Sequence, residues 1–410
     1  MQKLFCILTL SAGFLFADCA RDCCDPCGTT SCDCDPCNTC NTCDSCCCTP
    51  CCCEPCDFMP PCPPDTCAYN APVIIDIKCG WDFYATVSFL YMQAKEENLG
   101  FASSIIIPTE TIPTTTVNYS SLDFDYEPAF KVGIGFNLGC DNWQFGVEYM
   151  RYSADVGSGS FSATADNSLG IVGPWNIGEL LDPTSVLDQS SGFLSLTGSS
   201  FNASALWHLN MNIVDFDLSR KYFVGRCLTF KSFAGLRAAW INQDYTVNYT
   251  TITGSSTTLD TSYNISSKNS IDSWAVGARV GLDTEWLFCG GFFLYADSAF
   301  NLLYTDYCVD QNVSKNQVTI ATEEVTEQAF VNSSKSLCYL RPQANVGLGL
   351  GWSDYFCCND WFFDFRIGYD FQVYWNQNVF GMNYFTDGTQ VDTIGDLYLH
   401  GLVITARLDF

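Results

Sequence analysis

The sequence predicts an all-β chain, a transmembrane up-and-down antiparallel β-barrel of about ten strands, with a disordered or disulfide-linked cysteine-rich segment ahead of it. Three observations lead there: strict two-residue alternation of apolar and polar side chains, long links that alternate with tight turns, and a final amphipathic strand ending on an aromatic residue.

The chain opens MQKLFCILTLSAGFLFADCA. Lys3, the apolar run 4–16 and Ala17 read as an export signal over residues 1–17. That run is too short to cross a bilayer as a helix, and no later stretch supplies about 18 uninterrupted apolar residues. The expected destinations are therefore the periplasm, the outer membrane or the exterior. A lipid anchor on Cys19 competes with this reading, and Asp18 just before it suits that chemistry poorly. A formal net charge of −27 excludes a nucleic-acid partner, because a phosphate backbone is held by clustered Lys and Arg. Charged residues make up only 15% of the chain and aromatics another 15%, which points to an apolar surrounding.

Residues 18–72 form the second region. Of 27 cysteines in the chain, 18 lie between Cys19 and Cys67, with almost no core-forming residues among them, so cross-links or metal must order the segment. C-x-x-C units recur at Cys24/Cys27, Cys34/Cys37, Cys37/Cys40, Cys40/Cys43 and Cys53/Cys56. Zinc or a softer metal on thiolates, free thiols and disulfides all satisfy this spacing. Export into an oxidising compartment, with no His nearby, favours disulfides and no cofactor. Cys23, Cys24, Cys27, Cys34, Cys37, Cys40 and Cys43 are disulfide candidates here, and Cys79, Cys140, Cys227, Cys289, Cys308, Cys338, Cys357 and Cys358 in the barrel. Adjacent cysteines such as Cys46 and Cys47 sit too close to bridge each other, so partners lie elsewhere. The segment is then a periplasmic tether linking copies of the chain or other cysteine-rich envelope proteins; a self-contained knot is the alternative.

The barrel region, 73–410, carries strands expected near 81–93, 122–138, 142–153, 202–219, 228–247, 272–288, 291–304, 339–352, 360–376 and 396–410. In LDFDYEPAFKVGIGFNL (122–138) the even positions, from Leu122 and Phe124 to Leu138, are apolar, and the odd ones include Asp123, Glu127 and Lys131. WAVGARVGLDTEWLF (274–288) sets Trp274, Val276 and Val280 against Arg279, Asp283 and Glu285. FRIGYDFQVYW (365–375) sets Phe365, Ile367 and Tyr369 against Arg366 and Asp370. Long outer links are expected at 94–121, 154–201, 248–271, 305–338 and 377–395, the second of them able to hide a helix or two further strands. LHGLVITARLDF (399–410) closes the chain, and Phe410 is the expected assembly signal for the barrel-assembly machinery.

Segments FAGLRAAWINQDYTVNY (233–249) and WAVGARVGLDTEW (274–286) resemble those of major-outer-membrane-protein-like barrels of chlamydia-related bacteria and Legionella. The resemblance covers about residues 81–410. It implies a surface-exposed, abundant, disulfide-bonded barrel in the outer-membrane bilayer, commonly described as porin-like. The 19–67 segment departs from that pattern and resembles cysteine-rich envelope proteins.

Parity places Lys131, Glu148, Lys231, Arg237, Arg279, Asp283, Glu285, Asp364, Arg366, Asp370 and Arg407 in the lumen, lining either a narrow ion path or a salt-bridged plug. About eight strands already give a lumen filled by side chains, so lumen-facing glycines are expected to relieve crowding. No enzyme motif appears; of the two histidines, His208 is read as lumen-facing and His400 as outward. Ser-, Thr- and Asn-rich links raise one competing function, a surface adhesin that presents its loops to a host.

Overall fold

The computed structural model describes residues 72–73, 75, 83–106, 116–138, 143–157, 161–164, 168–172, 199–225, 227–255, 258–319, 324–356, 360–383, 385–386, 389–390 and 394–410. The export signal, nearly all of the cysteine-rich region, and Cys79, Cys140, Cys357 and Cys358 lie outside them. The strands in chain order are β1 (Phe83–Glu96), β2 (Ala102–Ile106), β3 (Thr116–Ser120), β4 (Tyr126–Leu138), β5 (Trp143–Gly157), β6 (Phe161–Thr164), β7 (Ser168–Val172) and β8 (Ser199–Phe223). They continue as β9 (Leu228–Ser255), β10 (Thr258–Leu287), β11 (Phe292–Thr319), β12 (Glu324–Phe356), β13 (Trp361–Asn378), β14 (Phe385–Thr386), β15 (Thr389–Gln390) and β16 (Gly395–Asp409).

Ten of these make one closed antiparallel ring, β5-β4-β1-β16-β13-β12-β11-β10-β9-β8, sealed where β5 pairs with β8. Closure removes every unpaired edge, which is what allows a sheet to sit in a hydrocarbon layer. The first and last strands meet with Tyr84 opposite Asp409, and Phe83 and Phe410 exchange backbone hydrogen bonds at the seam. Among its described residues the 154–201 link adds the short strands β6, on the upper end of β8, and β7, on β2; neither crosses the barrel.

Outward side chains form an apolar band. Ile134 is 69% exposed, Leu236 56% and Leu350 58%, values a protein in water would not repeat on every strand. Aromatic rings border the band at both ends: Trp143, Phe292, Trp361 and Phe410 near the short turns, Trp240, Trp274, Tyr304 and Tyr369 near the long links. Trp274 and Trp286 lie twelve positions apart on β10. At about 3.3 Å per residue and about 40° of tilt, that separation spans roughly 30 Å, the thickness of a bilayer's hydrocarbon core.

Two expectations are corrected here. The links 248–271 and 305–338 are not loops: β9, β10, β11 and β12 run 28 to 33 residues and leave only 256–257 and 320–323 between them. Asn248, Asn264, Ser266 and Ser270 occupy outward positions of a continuing ladder, while Tyr249, Ile265 and Val313, with Ser267 and Asn269, hold inner ones. Polar composition was taken for loop although the period-two pattern persists. Leu122 and Phe124 do not extend the lipid-facing row of β4, which begins at Tyr126. Leu122 is buried, and Phe124 stands edge-on to Trp207 with ring centres 5.6 Å apart.

Candidate functional site: a lumen closed in two layers

Near the turns, the lumen is a layer of ion pairs. Arg237 on β9 holds Asp215 on β8 through Nε and Nη2, both at 2.6 Å, and donates from Nη1 to Gln343 at 2.8 Å. Arg279 reaches Asp217 at 3.2 Å and Asp215 at 3.7 Å. Arg366 spans Asp364 at 2.8 Å and Glu285 at 2.9 Å, and Glu285 also takes Lys221. Lys131 meets Glu148 at 3.2 Å, Lys231 meets Asp283 at 3.8 Å, and Arg407 clasps Asp409 at 2.6 Å with its guanidinium 3.9 Å above the ring of Tyr84. Asp370 stands opposite Gly347 and lines what space is left, a cavity of about 220 Å3. Each charge taken out of water costs several kcal/mol on the order-of-magnitude scale, so cross-strand pairing is what makes so polar a layer tolerable.

Glycines make room for this layer. Tyr295 lies over Gly349 and Gly368, where an added Cβ would collide with its hydroxyl. Gly368→Leu should therefore destabilise the barrel by about 1–3 kcal/mol, the usual cost of overpacking. Denaturant unfolding in detergent would show it as a lowered midpoint; an unchanged midpoint would refute the packing role.

Toward the long links the lumen turns apolar. Trp207, Leu209, Met211, Tyr245, Tyr249 and Tyr307 project inward, all fully or almost fully buried. Against them pack residues that leave the wall: Leu99, Phe101 and Ala102 after β1, Leu122 before β4, and Val379 and Phe380 after β13. Tyr245 donates its hydroxyl to the Leu99 carbonyl and Tyr249 to that of Phe101, both at 2.7 Å. Asn378 donates to the Glu97 carbonyl at 2.6 Å, and Asn98 to that of Ile394 at 2.9 Å. Segments expected to be outer loops thus fold inward as a stopper.

Sequence reasoning missed Asp215, Asp217, Lys221 and Asp297 in the lower layer, although parity against Phe216 and Leu218 in DFDLSRKYF marks the first two. It also misplaced His208. On β8 the buried series is odd-numbered, from Ala203 to Ser219, so His208 faces outward, where Nδ1 lies 2.6 Å from Asp155. His400 is outward too, with Nδ1 2.7 Å from the Tyr369 hydroxyl.

The cysteines divide by position. Cys227 and Cys289 sit at the turn end, and Cys289 is disulfide-bonded. Cys308 and Cys338 lie on the neighbouring strands β11 and β12, exposed on the outer face, and both are free thiols. Residues 72–73 add to the turn end of β8, Pro72 bridging Tyr222 and Val73 donating to the Lys221 carbonyl. Pro72, the last residue of the cysteine-rich region, is thus held at the same end as the short turns. No group of three or more metal-binding side chains occurs among the described residues.

Several solved structures show a remote similarity to the chain. The outer membrane protease OmpT of Escherichia coli is 10% identical, with a TM-score of 0.37 over 82% of this chain and 100% of its own. The toluene transporter TodX of Pseudomonas putida is 8% identical, with a TM-score of 0.24 over 83% and 92%. A FadL homologue of Pseudomonas aeruginosa is 10% identical, with a TM-score of 0.21 over 80% and 89%. Likeness this remote says nothing about chemistry. No curated protein matches the chain. A family model described as Legionella pneumophila major outer membrane protein precursor matches residues 76–410, which is the whole barrel. The chain belongs to that family of outer-membrane β-barrels.

Proposed function

We propose that this barrel is a structural element of the outer membrane whose resting lumen is shut, with the turn end in the periplasm. From that end the 18–72 region becomes oxidised into cross-links with copies of the chain or with other cysteine-rich envelope proteins. The observation that carries this reading is the filling of the lumen by two unlike layers, ion pairs below and a stopper of aromatic and aliphatic side chains above. Porin-like diffusion of small solutes requires the stopper to withdraw, and proteoliposomes bearing the wild-type protein should not swell in isotonic sugars. Rapid swelling would reject the shut lumen.

The cross-linking half has its own test. Non-reducing gels of intact envelopes should show high-mass species that collapse to one band with reductant. Deleting 19–67 should remove most of that ladder while the barrel still assembles, because β1 and every later strand lie outside the deletion. Stoichiometric zinc or copper in protein isolated without chelator, with no reductant-sensitive ladder, would replace disulfides by a metal site.

A further inference from the structure

The stopper is not uniformly apolar. Within it lie two charged groups the ion-pair layer does not use, Arg341 on β12 and Glu96 at the end of β1, 9% and 3% exposed. Arg341 stacks its guanidinium 4.3 Å from the ring of Tyr339 and 5.7 Å from that of Tyr307. Those contacts engage its faces; along its edge Nε and Nη2 are buried with no hydrogen-bond partner. That pair of nitrogens is the side of an arginine that takes a carboxylate through two parallel bonds. Glu96 also has both carboxylate oxygens buried and unbonded, Gln243 approaching without closing a hydrogen bond.

Tyr307, against which Arg341 stacks, donates to Gln377 at 3.1 Å, and Asn378 beside it donates to the carbonyl of Glu97, next to Glu96, so the two groups share one part of the lumen. The neighbouring amides are unsatisfied in the same sense: Nε2 of Gln243 and of Gln377 is buried without an acceptor. A fork that wants an anion, a carboxylate that wants a cation, and two amides that want acceptors describe the negative image of a small dipolar ion. Glu96 also lines an outer cavity of about 700 Å3, with Gln93, Asn98 and Phe124 among its walls, and a solute would approach from that side.

We infer that the outer half of the lumen holds a binding site for a small solute carrying a carboxylate and an ammonium group, the chemistry of an α-amino acid. The solute's carboxylate sits on the Nε and Nη2 edge of Arg341, and its ammonium faces Glu96. Burial holds the Glu96 carboxyl well above the usual carboxylate range, with Asp396 and Glu97 pushing the same way against Gln243. An ammonium beside it is the occupant that restores its charge. Glu96 lies beyond the apolar band, since its outward neighbours Gln93 and Lys95 are polar. Binding requires the solute to travel only from the outer cavity to Arg341; it needs no passage through the ion-pair layer and stands apart from the structural role proposed above.

The test uses full-length protein in detergent micelles and equilibrium dialysis of labelled L-alanine, propionate and ethylamine. Alanine should bind saturably, and propionate and ethylamine, each with half the charge complement, about tenfold or more weaker. Arg341→Gln and Glu96→Gln should each weaken alanine about tenfold, and Arg341→Lys should also weaken it, because a lysine offers no planar fork. Heat-modifiable migration on gels checks that each variant folds. If a variant does not fold, the wild-type panel decides alone. Equal binding of the three probes, no saturable binding of alanine, or wild-type affinity in both folded variants would overturn the inference.

Discussion

Arg237→Met should lower the unfolding free energy of the barrel by about 3–5 kcal/mol, the range for breaking one side of a buried ion pair. The substitution removes both 2.6 Å bonds to Asp215 and the bond to Gln343. Asp215, buried on β8, then keeps only Arg279 at 3.7 Å. Pairing Arg237→Met with Asp215→Leu should recover most of the loss, because an apolar pair leaves no uncompensated charge. Urea unfolding in detergent micelles, followed by tryptophan fluorescence, measures both. A single-variant loss below about 1 kcal/mol, the value of an exposed ion pair, would mean that solvent reaches the layer and that it does not block the lumen.

Tyr245→Phe combined with Tyr249→Phe should loosen the stopper without emptying it. Each phenol closes one 2.7 Å hydrogen bond on the backbone that follows β1, at Leu99 and at Phe101. Each such bond contributes about 1 kcal/mol net, so losing both shifts the balance between seated and withdrawn states by about 2 kcal/mol, roughly thirtyfold. Both rings stay in place, with that of residue 245 still packed against Phe380. The double variant should therefore show far more frequent openings than the wild type while unfolding at a similar urea concentration. Identical opening in the two proteins would release these tyrosines from any gating role.

Much of the barrel was legible because lipid and lumen impose a two-residue period that no other constraint blurs. The alternation in 274–288 sets Trp274 and Val280 outward and Arg279 and Glu285 inward, and the structure keeps that parity. Composition and period disagree in the Thr- and Ser-rich stretches of β9 to β12, which are polar enough for loops, and there period decides, since Tyr249, Ile265 and Val313 mark a buried face. Period misleads at Leu122 and Phe124, whose parity matches the lipid-facing row while the chain there has already left the sheet. Nothing local tells a residue beyond a strand's end whether it will rise into solvent or fold back into the mouth. That choice depends on Trp207, Tyr245 and Phe380, contributed by strands and links far along the chain. The pairing of Arg341 and Glu96 around Tyr307 was hidden for the same reason, since the three residues come from β12, β1 and β11.

Single-channel recording of the purified wild-type protein in a planar bilayer tests the closed lumen most directly. With the lumen shut by ion pairs and stopper as proposed, the expected trace is flat, with brief small openings at most. A large, steady conductance on insertion would contradict the closed lumen and require that the segments around Leu99, Leu122 and Phe380 stand clear of the barrel in a membrane.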